Sequence, residues 1–467
     1  MSDGFDWAGF AASLGGIAVE SNPALVKQKS RDFYWYSPVL KKQLRDVTAD
    51  LVVMPRSEAE VIEVLRRCHA ARVPVTPRGG GTGNYGQAMP LRGGVVLDLL
   101  GLDMMHPVRD GILRVGAGVK LGEIEARCRK QGWELRMFPS TRRTATIGGF
   151  IGGGSGGVGS INFGQMREPG TLLAARVVTM EEAPQAMELR GAEVNRVHHA
   201  YGTNGIITEL EIAMAPAQPW RDYVVGFAEF LPLARFADAV ARADGIAKRL
   251  VTAVDAEAAA YFRPLRDVLV PGEAVGLFLI AAQSAEPFEE LLRAHGGAVR
   301  RRLTEAELEA QAAVPAFEFT WNHTTLQALK LDRSITYLQA RFPARGYLDA
   351  VAEVMANYGS EVPMHLEFLR VGGEVACGGL PLIRYTNEPR LRAIIADFEA
   401  RGITIFDPHT YVLEDGGMKQ TDPEQLAFKR RADPLGLLNP GKMRGWEELA
   451  AGGAPLTPAL SRREREQ

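Results

Sequence analysis

An α+β fold of more than one domain is predicted by three observations: the chain's 467 residues, a β-α-β start over residues 51–76, and a change in pattern near residue 218. A chain this long exceeds the size at which one hydrophobic core stops growing. Leu51-Val52-Val53-Met54 reads as a buried strand ended by Pro55. Ser57, with Glu60 three residues on, gives a capping box for a helix whose apolar stripe is Val61, Ile62, Val64, Leu65 and Cys68. Val73 to Thr76 is expected as the second strand, and the unit implies parallel pairing through a right-handed crossover. Strand signals recur over 94–99, 112–115, 174–180 and 205–212, with a helix expected over 121–131. Beyond residue 218 the pattern changes to longer amphipathic helices, expected over 236–250, 347–358 and 390–401, mixed with strands such as 275–282. Residues 447–467 carry no periodicity and are expected to form a disordered tail.

Composition narrows the function. With 46% hydrophobic and 24% charged residues and a net charge of −2, the chain has the make-up of a soluble globular protein and offers no basic stripe for nucleic acid or an anionic membrane. The expected partner is a small molecule. Cys68, Cys128 and Cys377 are far apart and lack metal-ligand spacing, which argues against a disulfide scaffold or a structural zinc. No apolar run reaches the ~18–20 residues of a membrane span, and MSDGFDWAGF has neither a basic n-region nor an apolar h-region, so the expected setting is cytoplasmic, without integral membrane association.

Glycine supplies the functional signal. Residues 148–159 (GGFIGGGSGGVG) contain eight glycines, and Arg78-Gly79-Gly80-Gly81-Thr82-Gly83 lies some seventy positions upstream. Glycine is costly to order, so this density points to backbone that touches a ligand directly. Gly81-Thr82-Gly83-Asn84-Tyr85-Gly86 matches G-x-G-x-x-G, but Pro90, Gly93 and Gly94 break the helix that a dinucleotide fingerprint requires. The loop can bind a diphosphate instead through a nest of consecutive N–H groups, with Thr82 and Asn84 adding donors. Gly153-Gly154-Ser155-Gly156-Gly157 satisfies G-x-S-x-G, yet glycine on both sides of Ser155 disfavours the tightly packed helix of a nucleophile elbow. Ser155 is expected in a loop beside a flat ligand.

In their order along the chain these segments resemble the FAD-binding domain of the vanillyl-alcohol oxidase superfamily, the PCMH-type flavoproteins. Pro77 to Gly83 resembles the pyrophosphate loop. Pro139-Ser140-Thr141 with Thr146-Ile147-Gly148-Gly149 resembles the second flavin loop, and Gly202-Thr203-Asn204-Gly205-Ile206-Ile207-Thr208-Glu209 resembles G-T-x-G-I-I-T-E. Asp433 to Lys442 (DPLGLLNPGK) is similar to the terminal signature of the D-lactate and glycolate dehydrogenase branch. The resemblance implies a two-subdomain FAD-binding domain over 46–218 and an α+β substrate-capping domain over 219–400. It further implies an N-terminal segment (1–45) packed on the FAD domain and a C-terminal segment (401–446) returning to it. The implied cofactor contacts include, besides the residues just named, Asn84, Gln87, Gly152, Gly153, Ser155, Gly156, Asn439 and Lys442, the last at the flavin pyrimidine edge. Thr82 stands where many members carry the histidine that bonds covalently to FAD, so noncovalent FAD is expected. The branch's H-x-G-D-G-N-x-H metal run is missing and its E-H-G reads Glu414-Asp415-Gly416, so no metal is expected.

Flavin oxidation of an alcohol needs a group to accept or orient the hydroxyl proton. His365 and Glu367, on one face of an expected strand over 362–369, and His409 and Tyr411, on one over 407–414, are candidates. His323, among aromatics in the cap, is a fifth. Arg341, Arg370 and Arg384 are candidate clamps for a substrate carboxylate. The expected activity is FAD-dependent oxidation of a small alcohol or 2-hydroxy acid; the alternative is a flavin-binding electron-transfer subunit that depends on a partner. Oxygen, a quinone or a protein remain open as electron acceptor, and a homodimer is admitted.

Overall fold

The computed structural model describes residues 4–452, which form three principal sheets. The first holds β1 (Ala18–Glu20), β2 (Leu51–Met54), β3 (Val75–Arg78) and β4 (Val95–Asp98) in the order β1-β2-β4-β3. β2 and β3 both run parallel to β4, as the β-α-β reading requires. The intervening helix, Glu58–Ala70, begins as expected, with Ser57 Oγ accepting from Glu60 N. The Glu60 carboxylate, however, takes Arg56 N rather than closing the box on Ser57. β3 starts two residues later than expected, because Val75 rather than Val73 pairs with Val95.

The second sheet contains β5 (Ile112–Gly116), β6 (Trp133–Leu135), β7 (Leu172–Val178), β8 (Ala186–Arg190) and the long β9 (Ile206–Pro216). Its order is β5-β9-β7-β8, with β6 also paired to β9. Between β6 and β7 the second glycine segment departs from expectation: Ile147–Gly153 is a helix. Thr146 Oγ1 caps it by accepting from Gly149 N, and Ile147, Phe150 and Ile151 bury their side chains. Glycine here allows close approach, since a Cβ on Gly148 would lie 2.6 Å from Ala117 Cβ. Burial of three large residues outweighs the unfavourable propensity.

The third sheet comprises β10 (Trp220–Phe227), β11 (Lys248–Val254), β12 (Ala274–Ala281), β13 (Ala298–Thr304), β15 (Ala340–Arg341), β16 (His365–Val371), β17 (Glu374–Gly379) and β19 (Thr404–Ile405). They follow the order β13-β10-β12-β11-β16-β17-β15-β19, while β14 (Ile335–Tyr337) and β18 (Leu382–Arg384) pair separately. The helix expected over 236–250 is Phe230–Arg242, and residues 248–254 are strand. All seven residues of β11 are buried, so its continuous burial overrides a helical reading of the same apolar run. Helices Tyr347–Tyr358 and Glu388–Ala400 lie close to their expected positions. The strand expected over 407–414 is absent: this stretch is irregular and leads into a π-helical turn at Glu414–Met418. Of the expected tail, 447–450 belong to the helix Arg444–Ala450, and 453–467 lie outside the described residues.

A buried ionic network joins the second and third sheets. Arg249 of β11 donates to Glu125 Oε1 at 3.0 Å and to Leu135 O at 2.5 Å, and its Nη1 lies 3.5 Å from Glu134 Oε2. Its guanidinium also sits 4.7 Å from the Phe138 ring centroid. Removing one member of such a cluster leaves charge buried and unpaired. Arg249→Ala is therefore expected to lower stability by about 3–5 kcal/mol, measured by urea unfolding at pH 7; a loss below about 1 kcal/mol would count against the network as the element that seats one sheet on the other.

Candidate functional site

A cavity of about 1140 Å³ opens where the three sheets converge, larger than the ~300–1,000 Å³ common for ligand pockets. Its lining includes 77–85, Gln87, 139–141, Thr146, Gly148, Gly149, 152–156, Gly205 and Ile207. Of the residues expected to contact a cofactor, Ile147 and Ile206 are instead packed in the core. Asn439 is also buried away from the lining: its Nδ2 donates to Gln87 O at 2.8 Å and Tyr201 O at 2.7 Å, tying the first glycine loop to the segment before β9.

The first loop has the properties of an anion nest. Among the described residues, the N–H groups of Gly79 to Gly83 meet no protein acceptor. Arg78, also on the wall, donates to Arg31 O at 2.5 Å. The glycines also solve a packing problem. A Cβ on Gly80 would lie 2.2 Å from Thr144 O, and one on Gly79 2.2 Å from Thr146 Oγ1. On the second segment, Gly152 faces open space within the cavity. Uncommitted backbone donors, backbone-lined walls and a cavity long enough to touch all three sheets fit FAD.

Lys442 does not reach the cavity. Its Nζ is buried, donates to Gly86 O and lies 5.2 Å from the Tyr411 ring centroid. Burial pulls its ammonium below the ordinary lysine range, opposed by the Asp32 carboxylate, which burial in turn pushes up. Lys442 thus braces the first loop from behind.

Of the five candidate proton-handling residues, only Glu367 lines the cavity. Its carboxylate accepts from Thr252 Oγ1 at 2.6 Å, Trp321 N at 2.7 Å and the imidazole Nε2 of His365 at 2.7 Å. Its bonds hold Trp321, a wall residue with φ 51°, in place. His365 stands behind Glu367 with no exposed surface. His323 Nδ1 lies 3.0 Å from Glu318 Oε2, and the ring is off the lining. Tyr411 stacks beneath Lys442. His409 is committed at both nitrogens: Nε2–H donates to Tyr337 O at 3.0 Å, and Nδ1 accepts from the Ser37 hydroxyl at 2.8 Å.

The three arginine candidates separate equally clearly. Arg370 donates to Asp244 at 2.6 Å and to two backbone carbonyls, and Arg384 to Glu257 at 2.9 Å, Ser360 O and Tyr261; neither lines the cavity. Arg341 does, and no carboxylate pairs with it among the described residues; its guanidinium lies 5.9 Å from the Phe406 ring centroid. Sequence reading passed over a further wall formed by Asn195, His198, His199 and Tyr201. The run His198-His199-Ala200-Tyr201 directly before Gly202 was the available signal.

Comparison with known proteins agrees with this geometry. Residues 49–183 match the family model of an FAD binding domain. The glycolate oxidase subunit GlcD of Bacillus subtilis is 25% identical over 432 residues, covering 84% of this chain and 88% of its own. The D-lactate dehydrogenase of Anaerostipes hadrus is 28% identical over 180 residues, only 36% of this chain and 37% of its own. Among solved structures, an alkyldihydroxyacetonephosphate synthase superposes with a TM-score of 0.70 at 15% identity, covering 94% of this chain and 85% of its own, a likeness of fold. Residues 49–183 thus form an FAD binding domain. The chain is an FAD-linked oxidoreductase similar to that glycolate oxidase subunit and that D-lactate dehydrogenase.

Two outcomes follow from this geometry. Gly81 has φ +64° and a Cβ there would lie about 2 Å from the Arg78 guanidinium. Gly81→Val is expected to abolish FAD retention, read as the flavin absorbance of the purified protein; full flavin content would refute the loop's role. Burial holds His409 down at about 4 against an ordinary 6.5, so the unfolded chain takes up this proton first. The corresponding stability is complete above pH 6.5 and is lost as pH falls toward 4. In His409→Gln the slope of stability against pH across that window should be smaller by about 1.4 kcal/mol per pH unit, measured by urea unfolding at several pH values; an unchanged slope would show that His409 is not held neutral.

Proposed function

We propose that the chain uses noncovalently bound FAD to oxidise a small 2-hydroxy acid to the 2-oxo acid. Arg341 carries this reading: an arginine on the cavity wall, free of carboxylate partners among the described residues and backed by Phe406, suits a carboxylate through a bidentate fork. Bound FAD supplies a two-electron acceptor for the hydrogen on the substrate carbon. The protein's part is to receive the cofactor on uncommitted amides, to fix the substrate carboxylate at Arg341, and to hold Trp321 through Glu367 so that the pocket keeps its shape. Thr82, at the wall of the first loop, provides no imidazole for a covalent link. The names of the relatives, a glycolate oxidase subunit and D-lactate dehydrogenases, support the substrate class. Three free, buried cysteines accord with a reducing, cytoplasmic setting, and among the described residues no helix is long and apolar enough to cross a membrane.

The Bacillus relative is named as a subunit, which favours keeping the partner-dependent electron-transfer reading in the test. Anaerobic reduction of the FAD-loaded chain alone by glycolate, D-lactate, D-2-hydroxyglutarate and simple alcohols separates the two. Bleaching of the flavin by 2-hydroxy acids but not alcohols is expected. No bleaching by any donor would favour the partner-dependent reading. Arg341→Met should lower kcat/KM for the acids roughly 10- to 150-fold, the worth of a charge-assisted bond of about 1.5–3 kcal/mol, and leave flavin content intact; an unchanged kcat/KM would remove Arg341 from the site.

A further inference from the structure

Where the third sheet faces the cavity, one row of residues has a gap in it. Arg341 of β15 and Glu367 of β16 both pair with Gly378 of β17, one from each side. Residues directly opposite in an antiparallel sheet point to the same face, and all three line the cavity. The guanidinium and the carboxylate therefore stand on the cavity side with a strand between them that carries no side chain there. With neighbouring strands about 4.8 Å apart, the Cα atoms of Arg341 and Glu367 are separated by about 10 Å.

Packing does not require this glycine. Gly378 lies in strand conformation, outside the left-handed region. A Cβ there would have as its three nearest neighbours Leu369 Cδ2 at 3.3 Å, Glu367 O at 3.4 Å and Ala340 O at 3.8 Å, all of the same sheet. The nearest is the end of a flexible side chain and can yield. Gly379 differs, because it faces the core, where a Cβ would lie 2.7 Å from the Phe342 ring. A glycine inside a strand without such a packing demand marks a place where a ligand approaches closely.

The slot over Gly378 has a defined chemistry. Leu369, two residues beyond Glu367, and Leu380, two beyond Gly378, also line the cavity and make the sides of the slot apolar. Phe406 directly follows β19, which pairs with β15 on the side away from β17, and its ring lies against the Arg341 guanidinium. A carboxylate held by Arg341 is thus left the β17 side for its remaining carbons. At the opposite end of the slot stands the Glu367 carboxylate, a like charge to any second carboxylate that reached it.

We propose that Gly378 selects the substrate's side chain: the slot between Arg341 and Glu367 takes the short aliphatic group of a monocarboxylic 2-hydroxy acid and turns away dicarboxylic ones. This rests on the 2-hydroxy acid reading. Selection has an attractive part, the carbons covered by Leu369 and Leu380, and a repulsive part, the charge of Glu367.

Anaerobic stopped-flow reduction of the FAD-loaded chain by glycolate, D-lactate, D-2-hydroxybutyrate and D-malate tests this. In wild type the second-order rate constant should rise by about fourfold or more with each carbon added from glycolate to D-2-hydroxybutyrate, and D-malate should fall at least about tenfold below D-2-hydroxybutyrate. In Gly378→Ala a methyl group enters the slot, and the ratio of the D-2-hydroxybutyrate to the glycolate rate constant should drop by about 10-fold or more. Gly378→Val should lower the ratio further; if the valine variant does not fold, the alanine variant and the wild-type series carry the test. An unchanged ratio, or an equal loss for every acid as a structural defect would give, would remove Gly378 as the selector and leave the functional reading intact. D-malate outpacing D-2-hydroxybutyrate in wild type would overturn the exclusion at Glu367. Loss of FAD affinity by more than about tenfold in Gly378→Ala, read by fluorescence titration, would assign the slot to the cofactor and overturn the proposal. Failure of every 2-hydroxy acid to reduce wild type would instead overturn the functional reading and the slot with it.

Discussion

Backbone-to-backbone contact without room for a single Cβ is the constraint on which this molecule is built. Hypothetical Cβ atoms on Gly80, Gly157 and Gly202 would each lie 2.2 Å from a neighbouring segment: from Thr144 O, Phe138 O and Pro77 Cγ. These contacts lock the first glycine loop, the segment around the glycine helix and the approach to β9 into one wall. The consequence is electrostatic as well as steric. With its carbonyl and Cα side pressed against protein, the first loop leaves the N–H groups of Gly79 to Gly83 without protein acceptors among the described residues, and a diphosphate can meet them without rearrangement. Much of the glycine density therefore serves packing, and the ligand surface is its by-product.

The C-terminal segment closes this arrangement. Leu438 bridges to Val75 beside the first loop, and Asn439 reaches Gln87 O and Tyr201 O. Lys429 Nζ, buried against Asp433 at 2.8 Å, donates to Thr203 O at 2.8 Å. Apart from the local Lys429–Asp433 pair, each contact joins segments more than 200 residues apart in sequence. The signature over 433–442, which by resemblance pointed to cofactor contact, acts in the structure as a fastener from behind, through Asn439 and Lys442.

Glycine and cap residues made the FAD-binding half legible because the same few residues set the conformation and line the cavity there. Pro77 to Asn84 line the cavity, as their glycine-rich run led us to expect. Beyond 218 the legibility drops for physical reasons. β11 and the helix before it share an apolar composition, and only the two-sided burial of β11 distinguishes them. Among the arginines, 341, 370 and 384 are equivalent by type; their difference lies in partners, Asp244 and Glu257, that are 126 and 127 positions away. Histidine misled most. His409 and His365 alternate attractively in sequence, yet each is buried behind another residue, whereas His199 reaches the cavity through a left-handed turn that no periodicity marks.

The distribution of the site over separate sheets gives Arg249 its importance. Arg341 and Glu367 belong to the third sheet, while His199, Tyr201 and the glycine loops belong with the other two. Relative displacement of the sheets by even 1 Å would move Arg341, the proposed carboxylate clamp, away from the rest of the cavity wall, a misplacement that can cost about 10²-fold in rate. The buried cluster of Arg249, Glu125 and Glu134 opposes that displacement. At Glu125 burial favours the neutral acid, but Arg249, Leu135 N and Arg142 together hold the carboxyl below its usual range, whereas at Glu134 burial prevails and its range moves up. Glu134 is shared between Arg249 and Arg129, the latter at 2.6 Å, and Trp220 Nε1 donates to it at 2.9 Å. Charge so deeply placed is weak evidence for net stability, since apolar residues could fill the same space at less desolvation cost. Its directional bonds to β11, to Leu135 and to Trp220 fix relative position instead, which is what a cavity shared between sheets requires.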